Sequence, residues 1–168
     1  MIVSAISYAT DSCRLGCLLV GATGKGVCFV SLGDSEEELV QALRERYPSA
    51  GLQRVARQTP WLKAVAGYVD GRTGALDVPV DVSGTRFQQR VWRELQRIPR
   101  GETRSYSQLA RAIGRPSAVR AVAHACAVNA VAIVVPCHRI IREDGGLGGY
   151  RWGLERKRAL LEQECGKR

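Results

Sequence analysis

The spacing of apolar residues changes near Ser83, and this change constrains the fold more than any other feature of the chain. After Ser83, apolar residues recur at helical spacing, as Phe87, Val91 and Leu95 do. Before it, short runs rich in Val, Ile and Leu are separated by turn residues, which is typical of β-strands. These runs lie at 2–8, 15–20 and 26–32. The sequence therefore predicts an α+β fold in two parts.

The first part also carries signals for helices. Ser35 with Glu38 forms a capping box, which predicts a helix that begins there and ends near Tyr47. A second, shorter helix is predicted from Pro60 to about Gly71, because proline is well tolerated in a first helical turn. These helices and strands together predict a mixed α/β scaffold.

The boundary between the two parts follows an alternating segment. Residues 76–82 alternate apolar and polar side chains, which predicts an edge strand that leads into a linker. We therefore expect an amino-terminal α/β domain at 1–82 and a mainly helical domain at 83–168. The chain has no run of about 18 apolar residues, and Met1–Thr10 lacks the basic start and apolar core of a secretory signal. We expect neither membrane association nor export.

The net positive charge of the chain lies entirely in the second part. Residues 83–168 hold 17 basic and 7 acidic side chains, whereas residues 1–82 hold 8 basic and 9 acidic ones. Fifteen of the 17 are arginines, which suit bidentate contacts to phosphate better than lysines do. A nucleic acid is therefore the first partner to consider, and a solvated basic surface is the alternative.

The six cysteines predict no disulfide framework and no metal site. In a cytosolic protein, free thiols are expected rather than disulfides. Cys13 and Cys17 lack the second pair or the nearby histidine that a zinc site needs. Cys28 is expected, like them, to be a small buried apolar residue.

Two short helices in the second part have the outline of a helix-turn-helix. Ser105 with Gln108 forms a capping box for the first helix, which is expected to run through Ile113. After a break at 114–116, Ser117 is the expected N-cap of a helix that ends near Ala127. An ordinary helical hairpin would give the same pattern.

The second of these helices carries many small side chains. Alanines occupy five of its positions, and Arg120 is its one long charged residue. A slim helix can enter a groove of a nucleic acid closely, but close packing against another helix also favours small residues. Both interpretations stay open at this point.

The segment Pro136-Cys137-His138 is the strongest chemical signal in the chain. An apolar run at 130–135 is predicted to be extended and buried, and it leads directly to the cysteine. A free thiol has a pKa near 8.5, so a neighbouring imidazole would help to remove its proton. Adjacent residues of an extended chain point to opposite sides, which favours a bridging water between the two groups. Without further context, a buried cysteine beside an incidental histidine is the preferred interpretation.

The sequence from Asn129 to Arg139 resembles the active-site segment of the O6-alkylguanine-DNA alkyltransferases, also called methylated-DNA–protein-cysteine methyltransferases. The resemblance covers about Val82 to Glu164, and the amino-terminal part fits the family's variable domain more loosely. Residues 148–152 are most similar to the carboxy-terminal part of the adaptive-response methyltransferases. The other matching positions are Ile98-Pro99, Gly101-Glu102, Ser105-Tyr106, Leu109-Ala110, Arg120-Ala121-Val122, Gly149-Tyr150-Arg151-Trp152-Gly153, Arg156-Lys157 and Leu160-Leu161.

This resemblance implies a fold and an activity. The amino-terminal domain would be ribonuclease H-like, and the second domain would be winged-helix-like with the helix-turn-helix inside it. The protein would be a cytoplasmic monomer that repairs O6-alkylguanine, mainly O6-methylguanine and also O4-methylthymine, in double-stranded DNA. It would move the alkyl group irreversibly to its own Cys137, once per molecule, with no cofactor and no metal.

The resemblance also assigns roles to individual residues. Cys137 would accept the alkyl group, His138 would take the thiol proton through a water, and Glu164 would orient His138. Asn129 would tie the helix of Arg120 to the active-site segment. Further matches concern DNA and the pocket. Tyr106 would help to turn the nucleotide out, and Arg120 would fill the place that it leaves. Ala121, Arg115 and Ser117 would also contact the DNA. The residues that would form the substrate pocket are Tyr150, Arg151, Lys157, Ile140 and Trp152.

Two departures from the family pattern and three alternatives accompany this interpretation. Ala130 stands where many members have proline, and zinc ligands of some members find no match in Cys13, Cys17 or Cys28.

The alternatives are a DNA-binding regulator with an inert cysteine, a non-reactive lesion sensor and a thiol hydrolase. Sensors of this fold lack the cysteine, so the presence of Cys137 disfavours that alternative.

Overall fold

The computed structural model describes residues 5–166 and divides the chain into two compact units. The first unit comprises residues 1–82 together with 130–134, and the second comprises 83–129 together with 135–168. The segment 130–134, which the sequence analysis placed in the helical domain, thus belongs to the first unit. Residues 2–4 of the first predicted strand lie outside the described residues.

The first unit contains a mixed sheet in the order β3-β2-β1-β4. Strands β1, β2 and β3 form an antiparallel meander, and β4 lies parallel to β1. The turn between β1 and β2 includes Gly16, whose φ of 108° favours glycine. The strands span Ala5–Cys13 (β1), Gly16–Ala22 (β2), Val27–Gly33 (β3) and Gly51–Arg54 (β4).

Two helices complete the first unit, namely α1 at Glu36–Arg46 and α2 at Pro60–Val69. The Ser35 side chain accepts a hydrogen bond from the backbone N–H of Glu38, so α1 begins where the sequence predicts. Leu39 and Leu43 of α1 are buried in a core with Ile6, Leu19 and Phe29 of the sheet. This core makes the first unit a scaffold with an apolar interior.

The predicted edge strand at 76–82 is wrong in extent. Only Val80 forms a bridge, parallel to Val27 of β3, and the hydrogen bonds on either side run from Val27 N to Pro79 O and from Asp81 N to Val27 O. Pro79 has no backbone N–H to donate, so a longer ladder cannot form. Strand β4 was not predicted, because its four residues carry no alternation.

The segment Ala130–Val134 is a turn rather than the extended run that the sequence predicts. Its backbone pairs briefly with β3, since Val30 donates to Ala130 O and Ala132 donates to Val30 O. Ile133 has a φ of 72°, a conformation that costs a β-branched residue about 1–3 kcal/mol. The side chains of this segment are almost all buried, which holds the strained turn in place.

The second unit is mainly helical, as predicted. Its elements are α3 (Arg86–Gln96), β5 (Arg104–Ser105), α4 (Tyr106–Ala112), α5 (Val119–Ala127), β6 (Ile140–Ile141) and α6 (Leu154–Gly166). Strand β5 pairs in parallel with β6. The predicted capping box of Ser105 and Gln108 is present at the start of α4. Across residues 5–166, every helix is too short or too polar to cross a lipid bilayer.

Helix α3 packs against α5 through Trp92. The indole Nε1 donates a hydrogen bond of 2.8 Å to the carbonyl oxygen of Ala125 in the last turn of α5. The carbonyls of a last turn have no partner within their helix, so this bond satisfies a group that would otherwise be buried unpaired. Trp92 therefore fixes the position of α5 on its unit.

Replacing Trp92 by phenylalanine tests this contact. We expect Trp92→Phe to lower the free energy of unfolding by about 1–3 kcal/mol, because the carbonyl of Ala125 is left unsatisfied. Urea unfolding of both proteins measures the difference. Gln96→Ala on the exposed face of α3 is the control and should stay within about 0.5 kcal/mol of the parent chain. A Trp92→Phe value in the control's range would contradict the assigned role.

Candidate functional site

Cys137 begins a single 3₁₀ turn, Cys137–Arg139, and only 6% of the residue is exposed. Its backbone N–H donates to Val135 O at 2.8 Å. The side chain of Asn129 donates from Nδ2 to Val135 O at 2.9 Å and to the Cys137 sulfur at 3.3 Å. Asn129 therefore holds the thiol and the backbone that precedes it in one arrangement.

The environment keeps the Cys137 thiol protonated at neutral pH. Burial raises its pKa above the usual value of 9.0, and the hydrogen bond from Asn129 and the charge of Lys157 lower the pKa in part. A buried thiol of raised pKa is a poor nucleophile unless a base removes its proton. The neighbouring groups decide whether such a base is present.

His138, the next residue in the sequence, is the candidate for that base. It is fully buried, and its Nε2 lies 2.8 Å from Oε1 of Glu164. Burial lowers the pKa of His138 below 6.5, although Glu164 opposes this effect. The imidazole is therefore neutral at pH 7 and donates from Nε2 to the carboxylate, which leaves the lone pair on Nδ1. Among the described residues, no group makes a hydrogen bond to this buried Nδ1.

Glu164 is anchored by a second partner that the sequence analysis did not assign. Arg139 donates from Nε to Oε2 and from Nη2 to Oε1 of Glu164, both at 2.9 Å. The same guanidinium donates from Nη1 to Ile98 O at 2.7 Å. A buried carboxylate needs a paired cation, so a conspicuous arginine beside Cys137-His138 was the available signal. These hydrogen bonds join the histidine, the carboxylate and the arginine in one buried network.

A cavity of about 480 Å³ opens beside the thiol. This volume is in the range of small-molecule sites. The cavity wall is mostly apolar, with the Cys137 sulfur and a few hydroxyl, guanidinium and backbone groups as its polar parts. Its lining residues are Tyr106, Ala123, Cys126, Ala127, Cys137, Gly149, Tyr150 and Arg151.

Two of the residues that line this cavity are tyrosines. Tyr106 is the first residue of α4, and a Cβ at Gly148 would lie only 3.0 Å from its hydroxyl, so this position favours glycine. The hydroxyl of Tyr150 is buried and makes no hydrogen bond within residues 5–166. Burial raises the pKa of both side chains, so both stay protonated at neutral pH and can donate.

The predicted pocket residues divide into two groups. Tyr150 and Arg151 line the cavity, whereas Lys157, Ile140 and Trp152 are absent from the lining and support the wall from inside the fold. Lys157 is fully buried and donates from Nζ to Ile140 O at 2.6 Å and to Gly149 O at 3.2 Å. The rings of Trp152 and Tyr150 meet edge to face with centroids 5.1 Å apart.

The outer face of α5 carries the residues that the sequence analysis assigned to DNA. Arg120 and Ala121 are exposed on the helix, and Arg115 and Ser117 are exposed just before it. Ser117 is not the N-cap, however, because α5 begins one residue later than predicted and Ala118 takes that position without a side-chain hydrogen bond. Helical spacing extends this exposed face to His124, which the prediction omitted.

Sequence reasoning also missed three small residues of the cavity, namely Ala123, Cys126 and Ala127. Cys126 is buried, and burial raises the pKa of its thiol well above the usual value. The signal that could have found them is their spacing of three and four residues, which puts them on one face of α5. No group of three His, Cys, Asp or Glu side chains in residues 5–166 is arranged to hold a metal ion.

Comparison with known proteins gives consistent matches. Residues 86–166 match the family described as "6-O-methylguanine DNA methyltransferase, DNA binding domain". The chain is 42% identical over 147 residues to the inducible methylated-DNA–protein-cysteine methyltransferase of Bacillus subtilis, covering 86% of this chain and 82% of that protein. It is 46% identical over 162 residues to the "Bifunctional transcriptional activator/DNA repair enzyme Ada" of Escherichia coli, covering 96% of this chain.

The chain spans 46% of the length of the E. coli protein, so it corresponds to about half of that relative. Among solved structures, "Mycobacterium tuberculosis OGT in complex with DNA" matches with a TM-score of 0.79 and 36% identity. The match covers 95% of this chain and 92% of that one. The mixed α/β fold is therefore shared with this structure along nearly the whole chain.

The arrangement of Glu164 and His138 predicts a particular pH dependence. Reaction of Cys137 with iodoacetamide should vary little between about pH 7 and 8.5, because neutral His138 accepts the proton of a thiol that is still protonated. In Glu164→Gln, the imidazolium loses its carboxylate partner. We expect the rate constant at pH 7.5 to fall at least about tenfold and then to rise about tenfold per pH unit, since hydroxide must remove the proton.

Intact mass spectrometry at timed intervals measures these rate constants. Glu162→Gln, which removes an exposed carboxylate from the same helix, should behave like the parent chain. A lower rate for Glu164→Gln with an unchanged pH profile would indicate damage to packing rather than loss of the proton acceptor.

Proposed function

Because the chain belongs to the methylated-DNA–protein-cysteine methyltransferase family, we propose that it repairs O6-alkylguanine in DNA by taking the alkyl group onto its own Cys137. The observation that carries this proposal is the position of the Cys137 thiol, in a cavity wall and beside the buried pair of His138 and Glu164. O6-methylguanine is the main substrate proposed, with O4-methylthymine as a second one.

The chemistry that suits this site is a displacement at saturated carbon. The thiol proton passes through a water to Nδ1 of His138, and the sulfur attacks the alkyl carbon. The bond between that carbon and O6 of guanine breaks, and a carbon–sulfur bond forms. The Tyr106 hydroxyl donates a hydrogen bond to the guanine ring. The ring takes up one proton from the solvent, and His138 releases to the solvent the proton that it took from the thiol, so the protons balance. The products are guanine and S-alkylcysteine.

Each molecule would react once. A thioether has no ready leaving group, so the alkyl carbon would stay on the sulfur. Asn129 contributes by donating a hydrogen bond to the sulfur, which favours the thiolate over the thiol. Glu164 stabilises the imidazolium that forms when His138 accepts the proton.

The target base would have to leave the duplex before it could react. A stacked base cannot reach a thiol that is 6% exposed at the wall of a cavity, so the nucleotide is turned out at a cost of a few kcal/mol. The exposed Arg120 would fill the gap in the stack, and the small residues of α5, such as Ala121, would let the helix lie in the minor groove. Arg115 and Ser117 would contact the backbone next to it.

The finer structural assignments belong to the same proposal. The sheet and helices of the first unit suit a ribonuclease H-like domain, and the helices with β5 and β6 suit a winged-helix-like domain. We propose that the two domains comprise residues 1–82 and 83–168. Lys157, Ile140 and Trp152 would act as supports of the substrate pocket that Tyr150 and Arg151 line. A cytoplasmic, monomeric protein is proposed.

Intact mass spectrometry with duplex DNA that contains O6-methylguanine tests the function. We expect one methyl group per chain, on the peptide that contains Cys137, and none in Cys137→Ala. Cys165→Ala, which alters an exposed cysteine, should gain the methyl group like the parent chain. DNA binding without any mass gain would instead indicate a regulator or a lesion sensor.

The role of Arg120 is separable from the chemistry. Arg120→Ala should slow methyl transfer from duplex DNA at least about tenfold, because the flipped state loses the side chain that fills the stack. Transfer from the free base O6-methylguanine should stay within about twofold, since no flipping is needed. Arg158→Ala, an exposed arginine of α6, is the control for charge. Equal slowing with both substrates would contradict the stack-filling role.

A further inference from the structure

A second cavity of the same unit, about 750 Å³ in volume, is lined mainly by arginines and lies apart from the residues around Cys137. Arg86, Arg90 and Arg93 contribute from α3, and Arg115 contributes from the turn before α5. The other lining residues are Gly84, Phe87 and Gln89, so the wall contains no carboxylate. Apart from Arg115, which the proposed function already places at the DNA backbone, none of these residues has a role in the proposed alkyl transfer. We call this surface the arginine cavity.

The arginines of α3 lie on one face of the helix because of their spacing. Arg86, Arg90 and Arg93 follow one another at four and three residues, which places them in a row about 10 Å long. The opposite face holds Val91 and Trp92, which are buried. A complete capping box fixes the first turn of α3, so the row begins on an ordered part of the helix.

The row meets the turn between α4 and α5. Gly114 in this turn has a φ of 72°, and a Cβ at this glycine would lie 3.6 Å from Nη2 of Arg90. The backbone of Arg115 is held at both ends, by a bond to Ala110 O and by one from the N–H of Ala118. The arginine cavity therefore extends to the start of the helix that carries Arg120.

These arginines are not neutralised in the part of the chain that the structure describes. Other arginines of the unit have acidic partners, such as Arg97 with Glu94 and Arg104 with Glu102. None of the ion pairs within residues 5–166 involves Arg86, Arg90, Arg93 or Arg115, and all four are exposed. Grouping four like charges without a counter-charge is unfavourable unless an anion binds there.

We propose that the arginine cavity is a second contact for backbone phosphates of duplex DNA, beside the contact made by α5. The inference rests on the proposed function, since it takes DNA as the partner. The row of three arginines is as long as about three base-pair steps of one strand, at about 3.4 Å each, so it spans several phosphates. The guanidinium groups donate to phosphate oxygens and hold the duplex in one orientation while α5 occupies its groove.

An extended polyanion fits this surface better than a small anion does. The cavity is open, and its charges are spread along a helix rather than directed at one point, which differs from the enclosed site that a single phosphate needs. Its continuity with the turn at Arg115 places it next to the proposed DNA helix. The contact carries no base specificity, because phosphates are the same at every step.

The salt dependence of binding tests the proposal. A variant with Arg86→Gln, Arg90→Gln and Arg93→Gln removes three charges from α3, and a control with Arg44→Gln, Arg57→Gln and Arg72→Gln removes three exposed charges from the first unit. The Kd for a duplex with O6-methylguanine is measured from about 50 to 200 mM salt. We expect the α3 variant to bind about ten- to a hundredfold more weakly at the lowest salt and its log–log slope to decrease in magnitude by about 2–3. The control should keep the slope of the parent chain.

Two further measurements separate charge from structure. A variant with the same three arginines replaced by lysine should keep most of the slope, because it keeps the charge. The unaltered protein should also lose affinity for a duplex whose phosphates on one side of the lesion are neutral methylphosphonates. Methyl transfer from the free base should be unchanged in all of these variants.

The outcomes distinguish the inference from the function it rests on. Methyl transfer to Cys137 together with equal slopes in the α3 variant and the parent chain overturns the second contact and leaves the proposed function intact. Equal loss of slope in the α3 variant and the control overturns it as well, since a general charge effect then explains the data. A parent chain that neither binds the duplex nor gains a methyl group overturns both.

Discussion

The buried charge of Glu164 is the interaction on which the rest of the site depends. A carboxylate without any exposed side-chain surface is costly unless cations and hydrogen bonds compensate it, and Arg139 and His138 do so together. Because Glu164 lies near the end of α6 and its partners lie in the 3₁₀ turn, the pairing joins two segments that are distant in sequence. The position of the imidazole follows from this pairing.

Local signals of the sequence predicted the local structure well. The N-cap residues Ser35 and Ser105 correctly predicted where α1 and α4 begin, and the apolar spacing from Phe87 onward predicted α3. The predictions that were wrong depend on contacts far along the chain. The turn at Ala130–Val134 is shaped by its docking on β3, and a run of apolar residues alone cannot distinguish such a turn from a strand.

The candidate site shows the same division. Cys137 and His138 are adjacent, so the pair stands out in the sequence, whereas its proposed role and the choice of Glu164 came only from the family resemblance. The role of Arg139 was missed: its position directly after Cys137-His138 draws attention to it, but the sequence does not show that its guanidinium turns inward to Glu164. The direction of the side chain also explains why Lys157 does not line the cavity, although it matched a pocket position. Its Nζ donates to two backbone carbonyls inside the fold.

The chain enters the first unit a second time at Ala130–Val134, between the helix of Arg120 and the reactive cysteine. The two units are therefore not two consecutive stretches of sequence, although the change in composition at Ser83 suggests that they are. Replacing residues 1–82 by an unrelated sequence would deprive this segment of its hydrogen bonds to the backbone of Val30. The two parts of the sequence are therefore linked through this segment, whose side chains must suit the sheet of the first unit although they lie in sequence between Asn129 and Cys137.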